Sequence, residues 1–119
     1  MKKIFLIFLI SVVGLYAYEE LNINNFEEKI KDKNVIVDFY APWCPPCKIV
    51  ANNLEDFDIT KPDNVHIYKV NIDDELTLAK KYGVTKLPTL IYFKNGKPIK
   101  DSPVLKGTDI NINADVIDI

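Results

Sequence analysis

Residues 37–48 read VDFYAPWCPPCK, and both cysteines of the chain, Cys44 and Cys47, fall inside this stretch. The run that leads into it, NVIVDFYA at 34–41, is rich in β-branched and aromatic residues and long enough for a strand buried on both faces. Asp38 alone interrupts it, and an acid there is either buried for a purpose or turned to solvent at a sheet edge. Beyond the prolines, Cys47, Val50, Ala51 and Leu54 recur at helical spacing. The cysteines therefore stand where a strand ends and a helix begins. Pro45 and Pro46 suit a first helical turn, where their missing N–H groups would have had no helical partner.

Working outward, EELNI (19–23) alternates like a short edge strand, and Asn24 with Glu27 resembles an N-cap and its partner opening an amphipathic helix that carries Phe26 and Ile30. NVHIYKVNI (64–72) reads as a strand. DDELTLAKKYG (73–83) reads as a helix with acids at its start and Gly83 at its left-handed stop. LPTLIYF (87–93) and a strand near 97–100 flank Asn95-Gly96, a hairpin turn dipeptide. Phe39, Tyr40, Tyr92 and Phe93 read as core, and His66 as a strand residue without catalytic duty. The tail fits a helix through Ile110, Ala114 and Ile117, and equally a strand through its Ile-Asn alternation. This order predicts an α/β fold with a mixed central sheet flanked by helices, parallel in the middle and antiparallel at the hairpin.

The cysteine pair could staple, ligate or exchange electrons. A disulfide closing two residues restricts little of the unfolded chain. Zinc or iron–sulfur sites usually need four protein ligands, and here there is no third cysteine and a single histidine. Haem attachment needs His after the second cysteine, where Lys48 stands. No metal or cofactor is implied. Electron exchange fits best, because unpaired amides and the dipole at a helix start favour thiolate, the attacking species. Cys44 at that end would attack, and Cys47, one turn inward, would resolve the mixed disulfide.

The chain has 119 residues, 48% apolar and 27% charged, with 17 acids against 15 bases, as expected of one globular domain. No basic stripe suggests nucleic acid. Met1-Lys2-Lys3 followed by an apolar run to Tyr18, with small Ala17 before the polar sequence, is the pattern of a secretory signal at 1–17 ahead of a domain at 18–119. As a helix the run would reach roughly 22 Å, short of the roughly 30 Å of a bilayer core, which favours removal. Leu15, bulkier than the ideal residue two before a cleavage site, keeps an uncleaved anchor as the alternative. Either way the domain is expected outside the cytoplasm, in a periplasmic or comparable compartment.

Across roughly 21–107 these residues resemble the thioredoxin family: VDFYAPWCPPCK is similar to its strand-to-active-site segment, and KVNIDDELTLAKKYGVTKLPTLIYFKNGK (69–97) to its second half. The resemblance implies a thioredoxin fold and protein thiol–disulfide oxidoreductase activity. Pro88 matches the family's cis-proline, which lies against the disulfide and presents the backbone of the preceding residue, here Leu87, to an extended substrate segment. Asp38 matches the buried acid that takes a proton from Cys47, and Lys69 its partner on the adjacent strand. Trp43 before the first cysteine and Pro46 before the second complete the expected substrate surface. Three positions depart from the family: Pro45 replaces a glycine, Asn52 a kinking proline, and Lys86 a small residue near the groove. Gly107 is similar to the family's glycine near the groove only loosely.

The expected function is reduction of disulfides in other exported proteins by a monomer that draws electrons from a membrane donor, apocytochrome c being one substrate by analogy. A disulfide-introducing oxidase is the rival in the opposite direction, although the inserted helical domain usual in such oxidases has no room between 72 and 87. A binding protein or metallochaperone holding Cu(I) between two soft thiolates is the non-enzymatic rival.

Overall fold

The apolar run at 34–40 becomes β2 (Asn34–Tyr40), the middle strand of five, and this central place is why it is buried on both faces. The computed structural model describes residues 18–99; the N-terminal apolar segment, Gly107 and the tail lie outside the described residues. Around β2 are β1 (Glu19–Glu20), α1 (Phe26–Ile30), α2 (Pro45–Thr60), β3 (Val65–Asn71), α3 (Leu76–Lys81), β4 (Thr89–Lys94) and β5 (Lys97–Ile99). The sheet order is β1-β3-β2-β4-β5. β3 lies parallel between β1 and β2, while β4 runs antiparallel to β2 and β5. The mixed sheet expected from the sequence is the one observed.

Alternation along β2 sorts its side chains onto two faces. Val35, Val37 and Phe39 face α1 and α3, packing with Phe26, Ile30, Leu78, Val70 and Phe93. Ile36 faces α2 and packs with Val50, Leu54, Ile67, Leu90 and Tyr92. Asp38 shares this second face, so its carboxyl is directed toward the helix that carries the cysteines. A five-residue helix such as α1 has no stability of its own. It is held by Phe26, whose ring meets Phe93 edge-on at 5.7 Å and Tyr82 at 5.3 Å.

Two helix starts differ from expectation. The N-cap of α1 is Asn25, one residue later than Asn24 and without a side-chain cap bond, and the turn that leads into it is organised by Asn22. Asn22 Oδ1 accepts from the amides of Asn24 and Asn25, and Asn25 Oδ1 accepts from the Asn22 amide. Asparagine at both ends of a three-residue step closes the same reciprocal box that Glu27 would have closed. α3 begins at Leu76 rather than at residue 73, because Asn71 folds 73–75 into a turn through its Oδ1 and its carbonyl. Aspartate and asparagine side chains offer the backbone such turns in competition with helix.

The stop at Gly83 is as expected. Its φ is +68°, and the amides of Gly83 and Val84 donate to the carbonyls of Lys80 and Ala79, the paired bonds of a left-handed helix end. A Cβ at Gly83 would meet nothing within 4 Å. Gly83→Ala should therefore cost only the backbone preference, about 1 kcal/mol, read by urea unfolding. A loss near zero would show that the positive φ is not maintained. The Asn95-Gly96 hairpin also forms, both residues having positive φ.

Candidate active site

The turn from β2 into α2 is closed by the Cys44 amide donating to the Ala41 carbonyl at 3.2 Å. Cys44 is the N-cap of α2, with Pro45 and Pro46 filling the first two helical positions. The first amide that α2 can offer is thus that of Cys47, and it donates to Cys44 Sγ at 3.3 Å. Two prolines leave this one donor aimed at the sulfur, at a helix end whose dipole favours negative charge. Cys44 and Cys47 are joined as a disulfide with their Cα atoms 5.3 Å apart. Both are buried, in a small cluster with Ala41 that Leu87 and Ile72 pack against. α2 continues without interruption through Asn52, as expected where no proline kinks it.

Behind the disulfide lies a cavity of about 220 Å³ lined by Asp38 and Cys47 together with Tyr18, Tyr40, Ala51 and Lys69. Asp38 is 1% exposed, and its Oδ1 has no hydrogen-bond partner among the described residues. Loss of water pushes its carboxyl up to about 7 against the opposing pull of the Lys69 charge. Lys69 is Asp38's neighbour in the β2–β3 register, as expected. No ion pair joins the two among the described residues. The Lys69 ammonium rests instead 5.5 Å from the centre of the Tyr18 ring and 5.7 Å from that of Tyr40. Tyr40, read as core, is only half-buried. Its hydroxyl donates to the Glu20 carboxylate, and burial followed by that bond raises its pKa.

On the outer side, Trp43, Cys44, Pro45, Pro46, Lys86 and Leu87 line an open groove of about 400 Å³. Trp43 is 66% exposed, and its indole N–H donates to Asp73 at 3.0 Å. The Leu87–Pro88 peptide bond is cis. Sequence reasoning missed Asp73, which it assigned to a helix start. His66, stacked on Tyr68 in β3, has no part in the site.

A disulfide at a helix tip, a buried acid behind it and an apolar groove before it are the parts of a known architecture. The profile of the thioredoxin family matches residues 17–112. This chain belongs to the thioredoxin family. A thioredoxin of Alicyclobacillus acidocaldarius is 43% identical over 77 residues, covering 64% of this chain and 73% of that protein. A thioredoxin of Chlamydia caviae is 44% identical over 85 residues, covering 71% and 82%. A solved thioredoxin of Malassezia sympodialis superposes with a TM-score of 0.69 at 32% identity, covering 77% of this chain and 80% of that one. The chain is accordingly a thioredoxin-like thiol–disulfide oxidoreductase whose Cys44–Cys47 pair is the redox-active disulfide. Thioredoxins act on protein substrates that contain disulfides, and the groove beside Cys44 is open to such a chain.

Proposed function

We propose that this thioredoxin-family protein is an exported reductase of disulfides in other exported proteins. The observation that carries the assignment of roles is the Cys47 amide on Cys44 Sγ at the tip of α2. In the reduced protein that donor and the helix dipole stabilise a Cys44 thiolate. The thiolate attacks one sulfur of a substrate disulfide, forming a Cys44–substrate bond while the other substrate sulfur leaves as a thiolate and takes up a proton. Cys47 gives its proton to Asp38 and attacks Cys44 Sγ. The internal disulfide forms, the second substrate thiolate leaves, and two electrons have passed to the substrate. Lys69 supports the carboxylate form of Asp38 that takes up this proton. Trp43, Pro46, Leu87 and Pro88 form the surface against which an extended substrate segment docks.

Export is supported by Met1-Lys2-Lys3 and the apolar run after it, with 1–17 as leader or anchor and 18–119 as the working domain. A periplasm is kept oxidising, so a reductase there needs electrons from a membrane protein, and apocytochrome c cysteines are a fitting substrate. The reductase direction, against the oxidase, is supported by the short passage from β3 to β4, which holds only the six-residue α3.

A Cys47→Ser variant, expressed at natural level in the native cell, is expected to accumulate mixed disulfides through Cys44 with exported proteins. Capture of cytoplasmic partners alone would overturn the export reading, and failure to capture any would overturn the assigned roles. Equilibration of the wild-type protein with glutathione should give a potential below about −230 mV, whereas a value above about −180 mV would reverse the direction.

A further inference from the structure

Lys69 is a half-buried cation on the middle of three parallel strands, and its surroundings account for its making no ion pair with Asp38 among the described residues. In register, Glu20 of β1 and Asp38 of β2 flank it on either side. Side chains in register lie on one face of a sheet, and residues two apart on a strand share that face. Tyr18, two before Glu20, and Tyr40, two after Asp38, therefore rise on the same side as Lys69. Their rings stand 5.5 Å and 5.7 Å from its ammonium. The face of an aromatic ring attracts a cation, so two rings from opposite flanks hold the ammonium between them. Tyr40 is tied in place by its hydroxyl bond to Glu20. Tyr18 packs against the cluster beneath α2 and lines the Asp38 cavity.

We propose that Tyr18 is a positioning residue of the active site: together with Tyr40 it clamps the Lys69 ammonium at the mouth of the cavity, keeping that charge within reach of Asp38. The inference rests on Asp38 as the proton acceptor for Cys47. Without the Tyr18 ring the flexible lysine stem swings to water, the positive charge retreats, and the carboxylate form of Asp38 loses support. The charged and titratable groups that face these residues are Glu20 on the β1 side, Tyr40 on β2, Lys48, Glu55 and Asp58 on α2, and Asp74 after β3; Cys47 is held in the disulfide, and β4 places the apolar Leu90 opposite Asp38.

Titration of the Asp38 carboxyl carbon by NMR in the oxidised full-length protein tests the clamp. Tyr18→Leu keeps apolar bulk but removes the ring face, and should raise the Asp38 midpoint by about 0.5 to 1 in pH. Tyr18→Phe, which keeps the ring, should titrate like the wild type, and Tyr18→Leu should add nothing in a Lys69→Met background. An unchanged midpoint in Tyr18→Leu, a fall in it such as water entry alone would cause, or an equal rise in the Lys69→Met background would overturn the clamp. The oxidised protein is read without any exchange reaction. If Asp38→Asn leaves resolution of the mixed disulfide at full rate, that result instead removes the proton-acceptor reading on which the clamp's catalytic meaning depends.

Discussion

Asp38→Asn is expected to stabilise the protein by on the order of 4 kcal/mol at pH 9 and to change it little at pH 3. The wild-type carboxyl is raised by burial from 3.8 to about 7. A raised folded pKa means that the native state holds its proton more firmly than the unfolded chain does. The associated stability is complete below the unfolded value and is lost as pH climbs through about 7. Above that point the folded protein must keep a buried carboxylate whose Oδ1 has no partner among the described residues, and each tenfold weakening of the acid is worth roughly 1.4 kcal/mol. Asparagine never ionises, so the variant should show a flat profile between pH 4 and 9 where the wild type declines. Urea unfolding across that range reads the difference, and parallel curves would mean that Asp38 ionises as easily in the fold as in water. The same substitution should slow resolution of a Cys44 mixed disulfide about 100-fold near pH 7, the scale on which a positioned proton acceptor acts. More stable and less active is the signature of a strained functional group.

Phe93→Ala should have the largest effect on stability in the other direction, a loss of about 4 kcal/mol and a fall in Tm of roughly 20 °C. Phe93 is fully buried, and its ring meets Tyr82 edge-on at 5.1 Å and Phe26 at 5.7 Å. Truncation removes both contacts and opens a cavity where α1 and the end of α3 converge on the sheet. The loss should be the same at every pH, because Phe93 lies on the face opposite Asp38. The two sites are also three residues apart along the β2–β4 ladder, roughly 10 Å. Asp38→Asn and Phe93→Ala together should therefore be additive within about 0.5 kcal/mol. A pH-dependent loss would mean that the two faces are coupled.

The elements with strong periodicity were readable in advance. The apolar run of β2, the helical spacing of Cys47, Val50 and Leu54, and the Gly83 and Asn95-Gly96 signals each carry their own local physics, and each appears where that physics puts it. The starts of α1 and α3 were misplaced because asparagine competes at several positions to organise a turn. Asn22 and Asn71 won by hydrogen bonds that spacing alone does not rank. In the site, Asp38 was visible as the one acid in an apolar run. The resting place of Lys69 was not, since it depends on two tyrosines brought together from 22 residues apart only by the sheet register. A pattern two residues apart on each flank, Tyr18 with Glu20 and Asp38 with Tyr40, was the available signal once β1, β3 and β2 were known to be adjacent.

The edges of the sheet bear on selectivity. The docking of an extended substrate segment proposed beside Cys44 would compete with any strand addition at the sheet margins. At one margin β1 offers two residues, both glutamates, and at the other β5 offers three with Pro98 at their centre. A two-residue ladder bearing paired negative charges, and a margin whose middle residue has no amide hydrogen, are poor templates for a visiting strand. Among the described residues the flanks of the sheet thus offer a visiting strand little to pair with, while the groove beside Cys44 stands open.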